Sequence, residues 1–346
     1  MGGQGGTGGQ PESLFQLETV DLPSDAEPAH TPGSPGVTVT NPRLIEQFGT
    51  ADIDLNHGRY TRYTLSDQAN EQPDAILVLV PGFEGGASTF AVLAESLARR
   101  AKDEASLVVE VWAVDRRSNQ LEDTVGLDLA EEEQDPSIGL DFLFGDELGL
   151  EMGDTLDAEV GRRAIFHDTG EDLAFMAQWT TLTHSQDIDA VIEAARGTAR
   201  DANVFLGGHS AGTGFTARYA ATDFNLAGGA PEPGYEKLRG LVMLEGGGGG
   251  LPDEAPTEAE LDRIEARFDG GLYGAVRSQE PRCIDGETAC TVDTEAEDCG
   301  AFDNTSCIEP VTAYSVVAGL LSPQLLAVSE VAAVSCTHLR AHETER

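Results

Sequence analysis

The chain carries a series of short apolar runs separated by helical patterns, and this alternation limits the folds open to it. AILVLV (75–80), SLVVEVWAVD (106–115), NVFLGG (203–208) and LRGLVMLEG (238–246) are continuous runs of β type. Between them, FAVLAESLARR (90–100), DIDAVIEAAR (187–196) and TGFTARYAATDF (213–224) repeat apolar residues at helical spacing, with Ser88 or Thr89 placed to cap the first. Strands that are apolar on both faces and alternate with helices imply βαβ units and an α/β fold, with a mostly parallel, doubly wound sheet. Further short strands are predicted near TADIDLN (50–56) and RYTRYTLS (59–66). Two stretches interrupt the alternation. Residues 124–170 are acidic and irregular, and residues 251–333 hold a cysteine-rich loop and two helical pieces. The first piece, PTEAELDRIEARF, opens with a capping box at Thr257 and Glu260. Both stretches are expected as cap-like insertions above the sheet.

The ends differ from the middle. Residues 1–36, with MGGQGGTGGQPES and then DLPSDAEPAHTPGSPG, are too polar and too rich in glycine and proline to repay chain entropy by burial, so a disordered tail is expected. The folded domain is expected over 37–333. No charged-then-apolar signal segment stands in the opening residues. The opening does resemble the tether that follows the lipidated cysteine of bacterial lipoproteins, which would place a lipid anchor upstream. A cytosolic start with a floppy tail is the alternative.

Charge narrows the partners. Asp and Glu number 61 against 21 Lys and Arg, a formal net charge of -40, and Lys102 and Lys237 are the only lysines. Such a surface repels phosphate backbones and anionic lipid, which argues against nucleic-acid and membrane-surface partners. It suits a salty medium, where screening relieves self-repulsion. No run of 18 apolar residues marks a membrane span.

Cys283, Cys290, Cys299 and Cys307 fall in one acidic stretch, with gaps of six, eight and seven residues. Zinc sites favour pairs two to four residues apart, and no histidine stands among these four. Two disulfides stapling a loop are expected, with three connectivities open. Disulfides in turn imply an oxidising compartment, hence a secreted, periplasmic or surface-anchored protein.

The chemistry is carried by NVFLGGHSAGTGF (203–215). Gly208-His209-Ser210-Ala211-Gly212 is a G-x-S-x-G motif placed directly after a strand and directly before a helix. A nucleophilic serine needs that strained turn, and glycine on either side allows the backbone to approach closely. The helix that follows aims its first amides at a developing oxyanion. His209, inside the motif, is not taken as the base. Pro81-Gly82-Phe83-Glu84-Gly85-Gly86, after the strand AILVLV, is placed to add a second oxyanion amide, from Phe83 or Glu84, beside that of Ala211.

With these pieces, residues 73–250 resemble the alpha/beta-hydrolase superfamily. More narrowly they resemble bacterial members that carry VDRRSNQLED (114–123) and GGHSAGTGFTARYAATDF at the elbow. The resemblance implies an eight-stranded, mostly parallel sheet, Ser210 as nucleophile, an acid and then a histidine downstream, and Phe83 and Ala211 as oxyanion donors. Many relatives have His-Gly where this chain has Pro81-Gly82, which leaves a backbone donor intact. The narrower family names a chemistry and no firm substrate.

Glu245 ends the strand LRGLVMLEG, where some hydrolases place the acid; the alternative is an acid one strand later. His30, His57, His167 and His184 precede Ser210 and fit the order of the triad badly, leaving His338 and His342. These two lie in VSCTHLRAHETER (334–346), which lacks the glutamate a zincin needs after its first histidine. That segment breaks the acidic composition before it and resembles a translated sequencing-library adapter, with Cys336 where tyrosine is usual. The natural sequence is therefore expected to leave the frame near Ala333, the last strands and the catalytic histidine to be lost, and the chain as given to be nearly inactive. The expected function is a serine hydrolase of small-molecule carboxylic esters needing no metal or organic cofactor. A non-catalytic binding protein of the same fold, or a hydrolase of thioesters or peptides, is the alternative.

Overall fold

The computed structural model describes residues 15–26, 28, 30–82, 85–167, 173–226 and 228–246, with short stretches at 257–259, 262, 280–283, 288–291, 299 and 307–308. Its centre is a six-stranded sheet: β1 (Phe15–Pro23), β2 (His57–Leu65), β3 (Ala75–Val80), β4 (Val109–Asp115), β5 (Val204–His209) and β6 (Gly240–Leu244), in the spatial order β1-β2-β4-β3-β5-β6. β1 and β2 pair antiparallel and β2 joins β4 antiparallel, whereas β4, β3, β5 and β6 run parallel. This meets the expectation of an α/β fold with a mostly parallel sheet, of which six strands lie among the described residues.

The period-two geometry of β3 explains why its apolar run is unbroken. Ile76, Val78 and Val80 face a core shared with Trp112, Val114, Leu206 and α6 (Thr181–Thr198), to which α7 (Ala211–Ala221) adds Tyr219. Leu79 turns to the other face, where Val111, Ala113 and Phe90 pack with Ala94 of α2 (Ala91–Ala105). α2 starts after a 3-10 turn over Ala87–Phe90, and neither Ser88 nor Thr89 caps it: the N-cap residue is Phe90, with no side-chain bond.

Three expectations change. Residues 15–36 are not a tail throughout. β1 lies along β2 over nine residues, and Asp21 and Glu18 of β1 face Arg59 and Arg62 of β2 as register partners. Beyond it Thr31 is buried and accepts a hydrogen bond from Trp179 Nε1 at 2.9 Å. The polar composition of this stretch reflects an exposed edge strand held by ion pairs with a distant partner. TADIDLN forms no strand; Ile53 and Leu55 are buried in irregular backbone that follows the short helix α1 (Pro42–Phe48). Of the stretch 124–170, the described residues 124–167 are more regular than expected, forming α3 (Val125–Glu132), α4 (Pro136–Phe144) and α5 (Asp154–Glu159) around Leu127, Ile138, Phe142 and Leu156. Two of their acids, Asp141 and Asp146, pair with Arg163, and Arg162 reaches back to Asp123 just before the stretch.

In the cysteine-rich stretch, Cys283 is bonded to Cys299 and Cys290 to Cys307, so the two loops interlock. β7 (Arg282–Cys283) pairs with β8 (Cys307–Ile308). The sulfurs of Cys283, Cys290 and Cys299 lie within 4.8 Å of one another, but each is in a disulfide and has no thiolate to give a metal. Among the described residues no helix is long and apolar enough to cross a membrane. Glu260 of the expected capping box, Cys336, His338 and His342 lie outside the described residues.

Candidate active site

Ser210 connects β5 to α7 with φ 52° and ψ -121°. A side chain at positive φ costs energy, and such residues persist only where their surroundings enforce them. Here the enforcement is visible. The Ser210 N–H donates to the carbonyls of Leu244 (3.2 Å) and Glu245 (3.0 Å) at the end of β6, and the Ser210 carbonyl accepts from Thr213 N (3.1 Å) and Thr213 Oγ1 (2.7 Å). The flanking glycines are required by contact. A Cβ on Gly208 would lie 2.2 Å from the Gly212 carbonyl oxygen, and one on Gly212 would lie 2.1 Å from that of Val80. Ser210 is exposed, and Ala211 and Gly212 occupy the first turn of α7, whose amides have no intrahelical carbonyl to meet.

The loop after β3 comes against this turn. A Cβ on Gly82 would stand 3.0 Å from Ser210 Cβ and 3.5 Å from His209 Nδ1. Gly85 N–H donates back to the Gly82 carbonyl at 3.2 Å, closing a turn. Phe83, the expected second oxyanion donor, lies within that turn and outside the described residues, as does Glu84.

The motif VDRRSNQLED supplies what sequence reasoning missed. It forms the end of β4 and a 3-10 turn over Arg117–Leu121. Asp115 Oδ1 accepts from Ala87 N–H at 2.6 Å, Arg116 Nη2 donates to the Gly85 carbonyl at 3.0 Å, and Asn119 Nδ2 reaches the same carbonyl at 3.4 Å. Burial pushes the Asp115 carboxyl up to about 6 against the opposing Ala87 hydrogen bond, and pulls the Arg116 guanidinium down to about 10. The available signal was position: charged residues directly after a strand, at the carboxyl edge of a parallel sheet, where ligands bind in such folds.

Glu245 is brought beside the serine by backbone, at φ 46°, while its side chain is exposed. Three of the histidines that precede Ser210 have side-chain neighbours within the fold. His57 lies 3.2 Å from Asp21, and His167 bonds Gln47. His184 is buried, with its ring 5.4 Å from that of Phe215. Burial, reinforced by Arg116, Arg117 and Arg218, holds His184 down at about 3.

No family model and no curated protein matches the chain. Among solved structures it is similar to a candidate dienelactone hydrolase from Klebsiella pneumoniae, at 15% identity and TM-score 0.31 over 70% of this chain and 63% of that one. It is similar to a candidate lipase from Sulfolobus solfataricus, at 16% identity and TM-score 0.34 over 66% and 55%. It is also similar to a cold-adapted esterase from an Arctic intertidal metagenomic library, at 11% identity and TM-score 0.32 over 69% and 64%. The chain thus spans 55% to 64% of the length of these three structures.

Proposed function

We propose that this chain is a serine hydrolase of carboxylic esters with Ser210 as nucleophile. The observation that carries the reading is the strained backbone of Ser210 between β5 and α7, held by the β6 carbonyls and admitted by Gly208 and Gly212. Strain of this kind is kept where it serves chemistry. In the proposed reaction Ser210 Oγ adds to the acyl carbonyl and its proton passes to a histidine outside the described residues. The amides of Ala211 and Phe83 hold the oxyanion. Collapse expels the alcohol, which takes up that proton, and water then releases the acid by the reverse sequence. Glu245 is the candidate acid that orients the histidine. The interlocked disulfides support export to an oxidising compartment.

The test is p-nitrophenyl acetate hydrolysis and fluorophosphonate labelling, each with and without added imidazole as an external base, using Ser210→Ala as the blank. With imidazole present, turnover above the blank and a label mapped to Ser210 are expected; without it the chain should be nearly inactive. Equal rates for the two proteins, together with no label on Ser210, would overturn the reading.

A further inference from the structure

Arg116 is 4% exposed, yet two of its nitrogens, Nε and Nη1, are buried without a hydrogen-bond partner. A buried guanidinium with unmet donors is costly, and replacing such a group by an apolar one often stabilises a protein. Its one strong contact, to the Gly85 carbonyl, could have been made by a neutral donor, and Asn119 already reaches the same atom. Gly85 is tied to Gly82, and Gly82 packs on Ser210.

We infer that Arg116 is a positioning residue that, through the Gly85 carbonyl, holds Gly82 of the loop after β3 against the Ser210 turn. This rests on the serine-hydrolase reading and extends it to the motif VDRRSNQLED. Asp115 anchors the far end of the same loop through Ala87 N–H, so Asp115 and Arg116 grip the loop at Ala87 and Gly85, two residues apart. The loop's glycines, Gly82, Gly85 and Gly86, leave the backbone little stiffness of its own, which is why the grip comes from side chains of the neighbouring strand end. Arg116 touches no reacting atom and acts through the loop.

The experiment compares Arg116→Gln and Arg116→Lys with the parent in two readouts. The first is hydrogen exchange of the peptide that spans 82–87; faster exchange is expected in Arg116→Gln, with Arg116→Lys between it and the parent. The second is ester hydrolysis per active site, counted by fluorophosphonate titration. There kcat is expected to fall by about 10²-fold in Arg116→Gln with KM within about twofold, the size of effect that a small misplacement produces. A purely structural role would instead lower the number of titratable sites and the thermal midpoint, leaving kcat per site unchanged. Parent-like loop exchange in Arg116→Gln overturns the inference. If Ser210→Ala matches the parent, the hydrolase reading falls, and loop exchange alone then decides whether Arg116 holds the loop.

Discussion

Replacing Arg117 by methionine should be among the most damaging single changes outside the Ser210 turn. The Arg117 side chain is 0% exposed and that of its partner Asp187, on α6, is 5% exposed. The pair is bidentate, with Nε and Nη2 each 2.8 Å from a carboxylate oxygen, and Arg117 also donates to Asn56 Oδ1 at 2.7 Å and the Ala26 carbonyl at 3.2 Å. One side chain therefore ties the end of β4 to α6 and to the N-terminal segment. Burial raises the Asp187 carboxyl and Arg117 opposes that shift. Without Arg117 the carboxylate is left buried and uncompensated, a loss of about 3–5 kcal/mol, or roughly 10 °C in midpoint for a domain of this size. Urea unfolding followed by tryptophan fluorescence can report it, because Trp112 and Trp179 are 2% and 1% exposed. The double variant Arg117→Met, Asp187→Leu should recover most of the loss, since it buries no charge. The sign with pH is also fixed. In the single variant the folded-state pKa of Asp187 stands above its unfolded value of about 3.9. The penalty is therefore present at neutral pH and shrinks as pH falls towards that value. Additive losses in the double variant, or a deficit that does not change between pH 7 and 4, would refute the reasoning.

Other outcomes follow from single observations. Gly212→Ala should cost about 3 kcal/mol and abolish labelling of Ser210, because its Cβ meets the Val80 and Pro81 carbonyl oxygens. Gly214→Ala, in the same helix with nothing within 4 Å, should instead stabilise by up to about 1 kcal/mol, and thermal unfolding separates the two. His184 is held neutral, with its pKa down at about 3. Its contribution is fully present above the unfolded value of about 6.5 and is lost as pH falls towards 3, on the order of 4 kcal/mol over that window. His184→Leu should accordingly have a flatter stability profile below pH 6.5, and profiles of equal slope would refute the assignment. Non-reducing peptide mapping should return Cys283–Cys299 and Cys290–Cys307 and no other pairing, in oxidised protein that is four hydrogens lighter than the reduced form.

Local pattern was enough for the parallel core. The runs at β3, β4 and β5 are apolar on both faces and lie between helices on both sides, whereas β6, last in the sheet among the described residues, leaves Leu241 and Met243 exposed. The Ser210 turn was legible for the same kind of reason: two glycines and a serine between a strand and a helix are local requirements, and the contacts at Gly208 and Gly212 show why. What tertiary structure decided is whatever depends on a partner far away in the chain. β1 looks like a polar tail because its ordering comes from ion pairs and main-chain bonds with β2, some 40 residues on, as in the pairing of Glu18 with Arg62. The described segment 124–167 looks irregular because acids such as Asp141 and Asp146 are compensated by Arg163, some 20 residues on, rather than by neighbours in a pattern. The grip of Asp115, Arg116 and Asn119 on the loop after β3 is a property of adjacent strand ends, about 30 residues apart in sequence. Periodicity reports which face of an element is buried; which charged side chain is matched to which distant carbonyl is settled only when the sheet order brings the two together.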